Sequence, residues 1–287
     1  MSIKFRWLGN AGFEIVLPSG KVLVLDPYID YAPNAPIKSD DVTGADYILL
    51  THGHFDHCSD VGKLARKFDS RVICSHQIAD PLADFFGLDP HSIIRVSAGD
   101  TLDFDDIKIK VKRSIHASIA PMLRATYRRL TGERPDPGMP LNELRQAISA
   151  LSAGSAQESP ATEIRNRMES AGIVGGEQLN FILETGDNLR SYVYSANPEN
   201  YLWKQVMEAS PNLIFLQLTA KPEDVAEIAA LSGAEVIIPT HHDMGGPEAR
   251  HKAVEETVKH LAGLSTARFI DTEYGQWYTV GIDISSD

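Results

Sequence analysis

His52, His54, Asp56 and His57 fall within one six-residue window, in the stretch Thr51-His-Gly-His-Phe-Asp-His-Cys58. Imidazoles and carboxylates are the donors that zinc, iron and manganese sites use. A polar loop with a few solvated histidines is the bland alternative, but a full H-x-H-x-D-H run seldom arises by chance. Six of the ten histidines sit in three places, each at the end of an expected strand. These are the cluster itself, His116 in Arg-Ser-Ile-His-Ala-Ser, and His241-His242 in Ile-Pro-Thr-His-His-Asp. A lone histidine such as His116 is more often a satisfied polar residue; beside the cluster it becomes a ligand candidate. His52 and His54 alternate by two along an extended chain and so point to the same side. Asp56 and His57 come after the chain has begun to turn. The expected cofactor is one or two divalent metal ions, zinc foremost, with manganese or iron as alternatives.

The elements that must position these residues are strands alternating with helices. Short apolar or alternating runs at Lys4–Leu8, Phe13–Leu17 and Val22–Leu25 are separated by Gly9-Asn10 and Pro18-Ser19-Gly20 turns. The apolar run Tyr47–Leu50 stops at Thr51, which puts the cluster at the C-terminal end of a buried strand, with helical spacing over Val61–Phe68 behind it. After His116 the strand pattern lapses, and Met122–Leu130, Leu141–Leu151 and Glu163–Ala171 read as helices. Strands resume at Leu179–Glu184 and alternate with helices to the end. Two such halves predict an α/β protein in α/β/β/α layers. One domain over residues 1–287, with a helical insertion at about 117–178, is the simplest account.

Composition narrows the function. A net charge of −12 argues against a nucleic-acid surface. No apolar run approaches membrane-spanning length, so no membrane partner is expected. The N-terminal Met-Ser-Ile-Lys-Phe-Arg-Trp shows no apolar export segment, and two cysteines are too few for a disulfide framework. The expected location is therefore cytoplasmic. Cys58 follows the cluster directly and could sit near a metal, but it reads better as a small buried hydrophobe.

With these residues in hand, the sequence resembles the metallo-β-lactamase superfamily, and within it the cytosolic branch of ascorbate-6-phosphate lactonase-like hydrolases. The resemblance rests on the Thr-His-x-His-x-Asp-His loop, on Asp26-Pro27 ending an early strand, and on the order of the later histidine loops. It implies a four-layer αβ/βα sandwich. It also implies that His52, His54 and His116 hold one metal while Asp56, His57 and His241 hold a second. Two ions about 3.5–4 Å apart can share one hydroxide and make it a nucleophile near neutral pH. Asp56 would orient that hydroxide as well as bind metal. The ligand place two residues after Pro239 selects His241, leaving His242 to donate a proton or to hydrogen-bond an oxyanion. Asp26 is expected to orient a ligand histidine, with a plain turn cap before Pro27 as the alternative.

One position departs from the family. Where an aspartate usually bridges both metals, this chain has Asn197, in Tyr194-Ser-Ala-Asn-Pro198. An amide offers one carbonyl oxygen and no charge. The excess positive charge must be offset by an anionic substrate, by a nearby carboxylate such as Glu199, or by loss of one metal. Asp187 is another carboxylate, but its Gly-Asp-Asn setting reads as a hairpin turn.

Residues 117–178 carry seven arginines and seven acidic residues, a neutral stretch in an acidic chain. Arg124, Arg128 and Arg129 recur at helical spacing just after His116, and could reach over the metals to a phosphate or carboxylate. The alternative is a solvated helix face, or a contact to another subunit of a homo-oligomer. The functional expectation is a metal-dependent hydrolase. Its substrate would be a small anionic lactone, ester or phosphoester. The contrasting expectation is a catalytically degenerate relative that binds a ligand or partner, with Asn197 as the mark of lost catalysis.

Overall fold

Two seven-stranded sheets face each other in the computed structural model, which describes residues 2–116, 120–152, 159–186, 189–195, 200–243 and 246–281. The strands in chain order are β1 (Ser2–Gly9), β2 (Gly12–Val16), β3 (Val22–Leu25), β4 (Tyr47–Leu49), β5 (Arg71–Ser75), β6 (Ile93–Val96), β7 (Thr101–Asp103), β8 (Ile107–Arg113), β9 (Leu179–Thr185), β10 (Leu189–Tyr194), β11 (Leu213–Gln217), β12 (Val236–Thr240), β13 (Arg268–Phe269) and β14 (Trp277–Gly281). One sheet runs β14-β1-β2-β3-β4-β5-β6 and the other β13-β12-β11-β10-β9-β8-β7. Thus β14 crosses from the second half of the chain to complete the first sheet, pairing antiparallel with β1. The helices are α1 (Phe55–Cys58), α2 (Val61–Phe68), α3 (His76–Phe86), α4 (Ala120–Thr131), α5 (Leu141–Ser152), α6 (Pro160–Ser170), α7 (Asn200–Ala209), α8 (Pro222–Ser232) and α9 (Pro247–Leu261).

The sequence of β3, Val-Leu-Val-Leu, shows how the layers arise. Successive side chains of a strand point to opposite faces. Leu23 and Leu25 enter the core between the sheets, with Phe5, Phe13, Phe181 and Phe215. Val22 and Val24 face the other way, onto Val61, Leu64, Ile78 and Leu82 of α2 and α3. The second sheet repeats the pattern. Leu213 and Phe215 of β11 point into the central core, while Ile214 and Leu216 pack outward on Leu202, Val206, Val225 and Ile228 of α7 and α8. Strands apolar on both faces need cover on both, and each fully buried side chain contributes about 1.5–3 kcal/mol. The result is the α/β/β/α sandwich that the two halves predict.

Among the described residues, the stretch read as an insertion holds the helices α4, α5 and α6, close to their expected bounds. Its last part is built into the main fold: Met168 and Ile173 belong to the apolar layer between the first sheet and its helices. The four-residue helix α1 is not visible in the periodicity, being too short to show any. It matters because it carries Asp56 and His57 out of the extended line of His52 and His54.

All three histidine loops leave the C-terminal ends of strands. Thr51 follows β4 after Leu50, Ser114 to His116 follow β8, and His241 follows β12. The β1–β2 turn and the β3 exit at Asp26 reach the same end of the sandwich. Main-chain bonds sew these segments together: His241 N–H to Asn10 O at 2.8 Å, Leu179 N–H to Thr51 O at 2.9 Å, and Gly53 N–H to Gly175 O at 2.7 Å.

Candidate metal centre

Thr51 and Asp26 set the orientation of the first rings. Asp26 is fully buried and accepts three bonds: Thr51 N–H at 2.8 Å, the Thr51 hydroxyl at 2.7 Å and His57 Nδ1–H at 2.8 Å. The Thr51 hydroxyl spends its proton on Asp26, so its oxygen accepts from His52 Nδ1–H at 3.0 Å. Both rings are thereby held with Nδ1 protonated, and the Nε2 lone pairs are turned away from Asp26. Asp26 thus bonds the His57 ring directly and the His52 ring through Thr51, contacts that a plain turn cap would not make.

Three ring nitrogens then converge. His52 Nε2 and His116 Nε2 each lie 3.0 Å from His54 Nδ1. A tetrahedral zinc with bonds of about 2.0–2.1 Å sets its nitrogen ligands at roughly this spacing, so the donor set suits one divalent cation. A second group forms beside it. Asp56 Oδ2 lies 3.8 Å from His57 Nε2 and 3.6 Å from His241 Nε2, and the ligand atoms of each triad all fall within 4.8 Å of one another. The His52 and His57 ring centroids are 4.0 Å apart, so the two triads adjoin. The structure brings together, in the same two sets, all six residues that the resemblance implies as ligands.

Electrostatics follow from this crowding. Burial and the neighbouring imidazoles hold His52 well below the ordinary histidine value, which keeps it a neutral donor. Burial opposes the charge on Asp56, but His57, His241 and the Asn10 amide outweigh it and keep the carboxyl below its usual range. Burial likewise opposes a charge on His57, and there Asp26 and Asp56 prevail and raise its pKa.

Several expected roles look different in place. His242 does not present itself as a proton donor. Its ring stacks on Trp7 at 4.7 Å, its Nε2 accepts from Arg250 Nε at 3.4 Å, and burial together with the guanidinium pushes its pKa down to about 3. The left-handed backbone at His241, φ 56°, turns the two adjacent histidines to different surroundings. Arg124 is committed to the insertion itself, donating to Asp136 O and Pro137 O at 2.9 Å each. With Arg128 and Arg134 it lines a surface groove of about 420 Å³ that includes none of the triad residues. Arg128 and Arg129 are exposed on α4. Asn197, with Asp187 and Glu199, lies outside the described residues.

Sequence reasoning missed three neighbours of the centre. Asn10, read only as a turn residue, donates from Nδ2 to Asp56 O at 2.8 Å and to Asp56 Oδ2 at 3.2 Å. Gly175 has φ 53°, and a Cβ there would come within 3.2 Å of His54 Nε2. Arg165 of α6 stands over the ring of Phe55, 5.2 Å from its centroid, and Phe55 lies between His54 and Asp56 in the chain. A Gly-Asn turn beside the first strand was the one available hint of Asn10; nothing in the pattern marked Arg165.

Residues 21–133 match a family model described as the Beta-lactamase superfamily domain. A UPF0173 metal-dependent hydrolase of Koribacter versatilis is 30% identical over 115 residues, covering 40% of this chain and 48% of that protein. The chain thus matches about half or less of the length of its curated relatives. Igni18, a metallo hydrolase of Ignicoccus hospitalis, superposes with a TM-score of 0.67 at 16% identity, covering 99% of this chain and 100% of that one. The metallo-beta-lactamase fold protein YhfI of Bacillus subtilis gives a TM-score of 0.59 at 12% identity, covering 97% and 99%. At such identities the likeness is one of fold. Residues 21–133 thus resemble a Beta-lactamase superfamily domain, and across the whole chain the fold is that of metallo-beta-lactamase fold proteins.

Proposed function

We propose that this protein is a metal-dependent hydrolase acting on a small anionic molecule with a lactone, ester or phosphoester bond. The observation that carries the reading is the pair of adjoining donor triads, His52-His54-His116 and Asp56-His57-His241, at the open ends of the strands. The metal-dependent hydrolases among its relatives support it. Divalent ions bound at such triads polarise a carbonyl or phosphoryl oxygen and lower the pKa of water. The chain's own part is positional. Asp26 and Thr51 hold two rings in the tautomer that leaves Nε2 available, and Asp56 supplies the one carboxylate among the six donors.

The anionic character of the substrate is supported by Arg165. Its exposed guanidinium has no carboxylate partner among the described residues and is seated on Phe55, beside the ligand loop. A cation fixed there can take up a phosphate or carboxylate remote from the scissile bond, and such binding positions the reacting atoms. A phosphorylated lactone, as in the ascorbate-6-phosphate lactonase-like branch, is the finer form of this reading, and it draws on the motif resemblance. A small-molecule substrate also suits the charge of −12, which disfavours polyphosphate backbones. Among the described residues, no helix is long and apolar enough to cross a membrane.

The test combines metal content per chain with turnover of a generic ester and of bis(4-nitrophenyl) phosphate. Hydrolysis that is lost on chelation and restored by metal supports the reading. Full metal loading without turnover of any anionic ester, lactone or phosphodiester favours the binding protein instead.

A further inference from the structure

The β1–β2 turn is wedged between the two ligand loops. We propose that Asn10 is the positioning residue that holds the Asp56-His57-His241 triad in register, itself fixed from behind by Asp243 and Tyr274. The inference rests on the metal reading of that triad.

The main-chain N–H, the main-chain carbonyl and the side-chain NH2 of Asn10 are all engaged, and most contacts lead to a ligand loop. The side-chain amide donates to the carbonyl and to the carboxylate Oδ2 of Asp56, the same oxygen that faces His57 and His241. The main-chain carbonyl accepts from His241 N–H at 2.8 Å and from Trp7 Nε1–H at 3.0 Å. The main-chain N–H donates to Asp243 Oδ2 at 3.1 Å, and that oxygen also accepts the Tyr274 hydroxyl at 2.9 Å. Two members of the triad, far apart in sequence, therefore hang from one residue.

The residue type fits the task. Asn10 has φ 49°, a left-handed conformation that asparagine adopts more readily than most side chains. Aspartate would tolerate that backbone but would set a carboxylate against the Asp56 carboxylate and carbonyl, with no donor to give. Alanine would lose both bonds and leave the Asp56 carboxylate free to rotate. The wall behind is stiff. Tyr274 stacks on Trp7 at 4.3 Å, and Arg250, buried against both rings, is tied to Asp271 and to the Thr272 carbonyl. Residues near the C-terminus thus set the geometry of a carboxylate in the first quarter of the chain.

The experiment loads wild type, Asn10→Ala and Tyr274→Phe with cobalt(II) or zinc. It measures ions bound per chain and stepwise affinity by competition with a chromophoric chelator, and follows the cobalt absorption spectrum. Asn10→Ala should weaken one ion by about tenfold to a hundredfold, the usual cost of losing a partner that orients a ligand, while the other ion stays within twofold. Tyr274→Phe keeps the ring stack and drops the bond to Asp243, so the same ion should weaken by less. Tyr274→Phe carries the test alone if Asn10→Ala does not fold. Unchanged affinities, or equal weakening of both ions, overturn the inference and leave the metal reading standing. A wild type that binds one ion overturns the inference but not a one-metal hydrolase; a wild type that binds none overturns both.

Discussion

Asp26 and His57 lie 31 residues apart in sequence and 2.8 Å apart in space, with the imidazole Nδ1–H donated to a carboxylate that is wholly buried. Through the Thr51 hydroxyl the same carboxylate reaches His52, so one acidic residue sets a ring in each triad. Asp26→Asn keeps the volume and tolerates the left-handed backbone at φ 42°. It should cost about tenfold to a hundredfold in affinity at both ions, read by chelator competition. An effect confined to one ion would show that the Thr51 relay carries no weight.

His54→Ala and Asp56→Ala should each abolish hydrolysis with little change in the thermal melt. His54 precedes the short helix α1 and Asp56 is its second residue, and both are only partly buried. Metal content, circular dichroism and turnover measured on the same sample decide the matter. A variant that has lost its metal and keeps full turnover would refute a metal-dependent reaction.

Arg165 and Arg124 make opposite predictions. Arg165→Ala should weaken anionic substrates by about 1.5–3 kcal/mol, the scale of a charge-assisted hydrogen bond, and spare neutral ester analogues. Arg124→Ala removes two bonds to main-chain carbonyls, so it should loosen the insertion, seen as faster proteolysis within residues 120–152, with KM for anions unchanged. Equal responses of anionic and neutral substrates to Arg165→Ala would assign that guanidinium to packing on Phe55.

Both thiols should be inert in the native protein. Burial raises the Cys58 thiol far above its ordinary value, with Asp26 and Asp56 adding to the effect, and burial pushes Cys74 up to about 12. Only the thiolate is nucleophilic, so neither cysteine should react with a maleimide at pH 8 until the chain is unfolded. The linkage sign follows. The folded state keeps protons that the unfolded chain releases above about pH 8.5, so this contribution to stability is whole below that pH and is lost as pH rises toward 12. Stoichiometric native labelling of Cys58 would place it in an open metal pocket.

The layers and the clustering of the histidine loops were legible because their signals are local. Period-two strands such as Val22–Leu25, a six-residue ligand window and histidines at strand ends need no knowledge of distant partners. What stayed closed depends on direction or long-range contact. Helical spacing groups Arg124, Arg128 and Arg129 on one helix but does not say that Arg124 turns to the 136–137 carbonyls. The place after Pro239 selects His241 over His242, but the separate surroundings of the two rings follow from the left-handed backbone at His241. Asn10 reads as a turn because its role is settled by residues 46 and more positions away.

Gly53 and Gly175 share a main-chain hydrogen bond, and the next one along joins Thr51 to Leu179. The insertion's way out is therefore a hasp closed over the histidine loop. Helices α4 and α5 can be lengthened, replaced or decorated between their fixed ends, but residues 173–179 cannot move without releasing the strand that aims His52 and His54. Trimming the insertion back to its exit would leave the donors in the chain and take away their alignment. Any side chain at position 175 would press on His54 Nε2 before it touched a substrate. Variation in what the proposed site accepts has room to accumulate in the outer helices α4 and α5, while residues 173–179 are bound to the geometry of the histidine loop.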